Sequence, residues 1–317
     1  MRVLSPPSGS SMLLPSPRDV RRPRTGPALL PVHGSPSWGE AGTAAVLERC
    51  LARWRRYEAA TVDPEVSAHD DMLVDTPEGR AHYRGVGLSA LRLITEAMLL
   101  SGRTDPTRIL DLPCGGGRVT RHLVTFFPEA EIAVADLDAR KVADVVAQFG
   151  VRAIESSPDF SAPLPGSYDL IFVGSLVTHF DAALFARATN VMIDALAPGG
   201  VLVLTSAGRN WAALSERQDR DEGLVPLRWW RAALSRLGGP KVSYRLRALE
   251  GDYARHGFGY SEVRSWTKLY GQSYGGSYAA PSWLMRVVEE RTDALVLGFK
   301  ERGFDDLLDA TLIQRAG

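Results

Sequence analysis

In the stretch ILDLPCGGGRVTRHL, residues 109–123, an aspartate closes an apolar run, three glycines follow and a helical pattern begins. Gly115, Gly116 and Gly117 let the backbone approach a ligand closely and turn helix N-terminal N–H groups toward it, chemistry suited to a nucleotide. Asp136 closes the next apolar run, 19 residues past Gly117. That is close to the interval at which an acidic side chain accepts hydrogen bonds from ribose hydroxyls; a plain strand-end cap is the competing reading. Asp138 reads better as the N-cap of a helix starting at Ala139. The loop departs from a dinucleotide fingerprint in two places. Pro113 stands where many such loops carry their first glycine, and β-branched Thr120 stands where close helix packing wants a small residue.

Further chemistry-bearing residues follow the fourth apolar run, in GSLVTHF, residues 174–180. His179 is the one imidazole there and could serve as general base near neutral pH; a packed histidine bonded to backbone is the alternative. Asp181 reads as the N-cap of the next helix, and Asp159 in SSPDF as either a ligand contact or a turn residue. Cys114 lies inside the glycine loop with no histidine readable beside it, so it reads as a small buried residue rather than a nucleophile.

The elements that must position these residues alternate. RILDL (108–112), EIAVADL (131–137), VRAIE (151–155), YDLIFVGS (168–175) and GVLVLTS (200–206) read as short buried strands, with helical patterns between them. Continuously apolar strands alternating with helices predict a doubly wound α/β domain, a parallel sheet covered on both faces with ligands at the carboxyl ends of its strands. Ahead of it, amphipathic helices are expected at 43–57 and about 87–101, the second ended near Gly102 and Pro106. Beyond Ser206 lies a segment rich in aromatics, and its run FGYSEVRSWTKLYGQSYGGSY reads as a loop walling an acceptor pocket, with Tyr270, Tyr274 and Tyr278 as candidate substrate contacts; plain packing is the alternative. The domain reading is a Pro/Arg-rich disordered tail at 1–38, a helical lid at 39–103, a cofactor-binding core at 104–208, a cap insertion at 209–285 and a closing hairpin at 286–317.

Composition narrows the partners. The 317 residues are 45% hydrophobic and 23% charged, ordinary for a globular protein, and 37 basic side chains balance 37 acidic ones. No global field draws the chain to nucleic acid or an anionic membrane, so a small molecule is the expected partner. No apolar run approaches the roughly 20 residues that span a bilayer. Two cysteines, Cys50 and Cys114, make neither a disulfide framework nor a zinc site, which favours a reducing cytoplasm and no metal. The sequence does not fix the oligomeric state.

Taken together, ILDLPCGGGR, AVADLD, SYDLIFVGSLVTHF and LAPGGVLVLTSAGR resemble class I S-adenosylmethionine-dependent methyltransferases, most closely a bacterial subgroup in which Pro113 is normal. The likeness runs from about Asp71 to the C-terminus. It implies a Rossmann-like sheet of seven strands, with ALVLGFKE and DATLIQR as sixth and seventh, joined by a tight turn at Gly303–Asp306, the last strand antiparallel. It implies S-adenosyl-L-methionine as cofactor, held by Asp111, Pro113, Cys114, Gly115, Gly116, Gly117 and Arg118 at the methionine, Asp136 and Leu137 at the ribose, Asp159 toward the adenine, and Ser175. The activity it implies is methyl transfer to oxygen or nitrogen of a small molecule, such as a sugar or secondary metabolite. Neither an N-P-P-Y nor a P-C-Q motif follows the fourth strand, which argues against nucleic acid as substrate. Two alternatives stand beside this reading: an NAD(P)-dependent oxidoreductase, and a non-catalytic cofactor-binding partner subunit.

Overall fold

The computed structural model describes residues 40–219, 246–263, 267–268 and 273–317. The tail read at 1–38 lies outside the described residues, as do Tyr270 and much of the aromatic segment after residue 219.

Two helices come first, α1 (Glu40–Ala59) and α2 (Pro77–Ser101). Then β1 (Arg108–Asp111), α3 (Thr120–Phe126), β2 (Glu131–Val134), α4 (Ala139–Phe149), β3 (Arg152–Ala153), β4 (Tyr168–Val173), α5 (Ala182–Asp194) and β5 (Leu196–Ser206) build the alternating core, with a short 3-10 turn at Val177–His179. After α6 (Arg209–Asp219) and α7 (Leu246–His256), a two-stranded ribbon of β6 (Phe258–Glu262) and β7 (Gly275–Ala279) leads to α8 (Pro281–Glu289) and the hairpin β8 (Ala294–Phe304) and β9 (Leu308–Arg315).

The main sheet has seven strands in the order β3-β2-β1-β4-β5-β9-β8. The first five run parallel, β9 is antiparallel to β5, and β8 is antiparallel to β9. This is the doubly wound, mostly parallel sheet with an antiparallel last strand that the sequence predicts. Its alternation sorts side chains into two cores, because successive residues of a strand point to opposite faces. Ile109, Leu170, Phe172, Val203 and Leu312 join Leu91 and Ile94 of α2 and Phe126 of α3 on one face. Leu110, Ile171, Val173, Leu202 and Ile313 join Phe185 and Met192 of α5 and Leu284 of α8 on the other.

The N-terminal helices belong to the first of these layers. Trp54 of α1 donates from Nε1 to Thr95 Oγ1 of α2 at 3.0 Å, and Arg53 reaches the carbonyl of Phe126 at 3.1 Å. The start of α2 lies ten residues ahead of the expected one: Thr76 accepts from Gly79 N as N-cap and Pro77 takes the first turn, where its missing N–H costs nothing. Its end is where the sequence puts it, at Gly102 with φ 73°. The ribbon β6–β7, with five paired positions from Phe258↔Ala279 to Glu262↔Gly275, replaces part of what reads as a loop. Among the described residues no helix is long and apolar enough to cross a membrane.

Candidate active site

β1 and β4 pair side by side, Asp111 opposite Phe172, so the loops that leave their carboxyl ends face each other. The loop after β1 is tied down by backbone bonds: Leu112 N donates to Phe172 O, Cys114 N to Ala135 O and Gly117 N to Cys114 O, at 2.9–3.0 Å. The Leu112–Pro113 peptide is cis, and Gly115 and Gly117 hold φ values of 52° and 80° that favour glycine.

Around this loop stand two carboxylates. Asp111 is 1% exposed and accepts from the Thr120 hydroxyl at 2.7 Å. Burial pushes its pKa up to about 7, although the Thr120 bond acts in the opposite direction. Asp136 is partly exposed, and both its oxygens are used: Oδ2 accepts from Gly115 N at 3.0 Å and Oδ1 from Asp138 N at 2.9 Å. Burial raises its pKa too, against the pull of those bonds and of Lys141. Asp138 is the N-cap of α4, accepting from Arg140 N, and Asp181 the N-cap of α5, accepting from Leu184 N.

A cleft with a cavity of about 260 Å³ opens above these groups. Asp111, Pro113, Cys114, Gly115, Gly116, Arg118, Asp136, Leu137, Ser175, His179 and Tyr274 all line it, so residues far apart in sequence meet at one place. Three candidates lie elsewhere. Gly117 does not line the cleft; a Cβ there would sit 2.7 Å from the Phe149 ring, so this glycine lets α4 approach the loop. Asp159 does not line it either: its carboxylate accepts from Ser161 N at 3.1 Å, which with the Ser161 hydroxyl holds its pKa down, while its neighbours Pro158 and Phe160 do face the cleft. Tyr278, 3% exposed, is edge-on to Tyr253 in a packed aromatic pair away from the cleft. Tyr270 lies outside the described residues.

At the far end of the cleft Ser175 takes φ 60°, a left-handed conformation that side chains rarely adopt and that recurs at functional sites. Thr205 of β5 supports it by accepting from Ser175 N at 2.8 Å while donating to Val173 O at 3.0 Å. His179 follows. Its Nδ1 lies 2.9 Å from the carbonyl of Gly275 on β7, and since a carbonyl only accepts, Nδ1 carries the proton. That bond fixes the tautomer in which Nε2 is the basic nitrogen. The ring stacks on Tyr274 at 4.8 Å and 13°, and burial lowers its pKa, so it is neutral at pH 7.

The cleft also contains residues the sequence reading missed. Asp70, Asp71 and Met72 come from the segment between α1 and α2, Lys141 from α4, and Phe172 and Phe304 form a ring pair at 5.6 Å. Asp71 and Lys141 are an ion pair at 2.9 Å. The DDML sequence before the second helix was a signal for the first three; the others are ordinary helix and strand residues until the fold brings them in. Among the described residues no group of three or more His, Cys, Asp or Glu is placed to hold a metal ion.

Comparison with known proteins bears on what the cleft takes. Residues 109–200, from β1 to the start of β5, match the family model for a methyltransferase domain. A search of curated proteins finds no match. Solved structures similar to this chain include an S-adenosylmethionine-dependent methyltransferase from Clostridium acetobutylicum ATCC 824, at 14% identity over 73% of this chain and 92% of that one, TM-score 0.46. They also include N-methyltransferase NodS from Bradyrhizobium japonicum WM9 in complex with S-adenosyl-L-homocysteine, at 14% identity over 85% and 99%, TM-score 0.43. A third is CalS10, an amino pentose methyltransferase from Micromonospora echinaspora involved in calicheamicin biosynthesis, at 26% identity over 41% and 56%, TM-score 0.35. With its glycine loop and both carboxylates inside the matched segment, the chain carries a methyltransferase domain at residues 109–200, with S-adenosylmethionine as cofactor.

Proposed function

We propose that this enzyme methylates an oxygen or nitrogen of a small molecule, a sugar or secondary metabolite, and that His179 takes the proton the acceptor gives up. The observation that carries the reading is the Nδ1–H bond from His179 to Gly275 O, which leaves a neutral imidazole, with Nε2 as its basic nitrogen, in the lining of the cleft. A base in that state accepts a proton without first losing one.

The donor set fits the cofactor. Gly115 has open space on its Cβ side within the cleft, so a ligand can lie against the backbone there. Asp136, held rigid by two backbone N–H groups, keeps acceptor capacity for a ribose diol, since each carboxylate oxygen takes more than one bond. Asp111, buried and facing the same cavity, suits an ammonium group, and Arg118 with the loop amides suits a carboxylate. When bound, S-adenosylmethionine supplies a methyl group on a positively charged sulfur, a strong leaving group. The chain's own task is alignment and exclusion of water, which can lower a barrier substantially without covalent help. Leu176, Phe180, Phe172 and Phe304 supply an apolar wall at the acceptor end.

In the same reading the segment 209–285 contributes the acceptor cap, through Tyr274 on the lead-in to β7. Neutral overall charge supports a small-molecule partner over nucleic acid. The test is incubation with isotope-labelled S-adenosylmethionine and cell extract, followed by untargeted mass spectrometry. Label in a low-mass metabolite supports the reading; label confined to nucleic acid or protein overturns it.

A further inference from the structure

Arg121 is 1% exposed, and the three hydrogen bonds its guanidinium makes all end on backbone carbonyls. Nε donates to Gly117 O, the last glycine of the loop, at 3.1 Å. Nη1 donates to Asp63 O at 2.8 Å and Glu65 O at 2.5 Å, both in the segment between α1 and α2. The group lies between the rings of Tyr83 and Phe149, 5.4 Å from each centroid, and Nη2 has no partner among the described residues. A buried cation is costly to desolvate. Here its planar fork joins two chain segments more than fifty residues apart.

The segment it grips crosses the cofactor loop. Tyr83, whose ring faces Arg121, donates its hydroxyl to Asp70 Oδ2 at 2.6 Å; Asp70 Oδ1 accepts from Met72 N and Leu73 N. Asp70 lies so close over the loop that a Cβ on Gly116 would sit 2.3 Å from its Oδ2. Further clips come from α4: Gln148 Nε2 donates to Asp63 Oδ2 and Glu65 O at 3.0 Å each, Asp144 holds Ser67 and His69, and Lys141 pairs with Asp71. Residues 63–72 are therefore a strap without helix or strand, anchored at points on α3 and α4, whose last three residues wall the cleft.

We propose that Arg121 is a positioning residue for the cofactor: it bolts this strap to the glycine loop, and release of the strap sets how long the cofactor stays bound. The proposal rests on S-adenosylmethionine occupying the cleft. A planar fork bridging Gly117 to Asp63 and Glu65 cannot be replaced by an ammonium, which offers no second arm at the required span.

The test uses the full chain, with S-adenosyl-L-homocysteine as probe, and two variants: Arg121→Lys, which keeps the charge, and Gln148→Ala, which removes a half-buried clip on α4 and leaves the fully buried side chains intact. Hydrogen–deuterium exchange on cofactor-free protein and stopped-flow dissociation of the probe are measured together. The expected result is exchange at residues 60–73 at least tenfold faster than in wild type, the rest of the chain unchanged, with a dissociation rate raised about tenfold in Arg121→Lys and less in Gln148→Ala. Faster strap exchange with an unchanged dissociation rate would reduce Arg121 to a structural role and overturn the proposal. Unchanged strap exchange in both variants overturns it as well. Should Arg121→Lys not fold, Gln148→Ala decides between the same outcomes. Wild-type protein that does not bind the probe at all would bring down the cofactor reading itself, a failure visible before either variant is compared.

Discussion

The hydroxyl of Thr120, in the first turn of α3, donates to Asp111 Oδ2 at the end of β1 across the whole glycine loop, at 2.7 Å. The residue that spoils a dinucleotide fingerprint is thus the one that holds the carboxylate. Thr120→Val keeps the shape and leaves a buried acceptor unsatisfied, at a cost of about 1–3 kcal/mol. Thermal unfolding should show that loss; an unchanged Tm would mean that another donor takes over.

Asp111 also sets a pH dependence. With its pKa near 7 in the free protein, the carboxyl is half protonated at neutrality, and an ammonium in the cleft favours the ionised form. Affinity for S-adenosyl-L-homocysteine should therefore rise between pH 6 and 8 and level off above. In Thr120→Val the rise should move to higher pH, because the bond that favours ionisation is gone. Calorimetry across that range checks both, and a flat profile in wild type would separate Asp111 from the ligand's ammonium.

Asp136→Ala removes the acceptor assigned to the ribose. Loss of a hydrogen bond to a charged group costs about 1.5–3 kcal/mol, a weakening of roughly tenfold or more in the Kd for S-adenosyl-L-homocysteine. Equal affinity in a folded variant would assign the ribose to another side chain.

His179→Gln should lower kcat by about 10²–10⁴ at saturating substrates while leaving the cofactor Kd unchanged. The ring works as a base only when neutral, and burial lowers its pKa. The wild-type rate should thus climb with pH, with its midpoint below the ordinary imidazole value of about 6.5. A near-normal kcat for the variant would retire His179 as the base.

His122 makes a separate prediction about stability. It is 2% exposed, bonded through Nδ1 to the Tyr57 hydroxyl at 2.5 Å, and burial, aided by neighbouring Arg121, lowers its pKa to about 4. The unfolded ring titrates near 6.5, so between the two values the unfolded chain binds more protons. The contribution is fully present above about pH 6.5 and is lost as pH falls toward 4, about 3 kcal/mol in all. His179 shifts in the same direction, so His122→Asn should flatten the acid limb of ΔG against pH without abolishing it. Identical slopes in urea titrations of the two proteins would rule this out.

How legible these features were depended on whether a residue's role was local. Strands β1, β2, β4 and β5 carry their own apolar signal, and Asp111, Asp136 and the glycines sit at fixed offsets from them. Gly79 and Gly85 hid the first ten residues of α2, because glycine disfavours a helix by about 1 kcal/mol. At Gly87, where the expected helix begins, the fold itself requires glycine: a Cβ there would lie 2.0 Å from the His122 ring. Asp70, Lys141 and Phe304 reach the cleft only through tertiary contacts, which no spacing reveals. The ribbon β6–β7 was masked by its glycines; at Gly275 a Cβ would lie 2.1 Å from Ser261 O across the pair.

The position of β9 has a consequence for biosynthesis. Residues 308–315 are an interior strand, hydrogen-bonded to β5 on one side and β8 on the other. A nascent chain emerging from the ribosome exposes β5, and with it the paired cores on both faces, long before the strand that closes its edge has been made. During that interval the bare edge is a template for any extended segment nearby. The hairpin thus acts as the final stitch of a sheet whose first strands have waited for it.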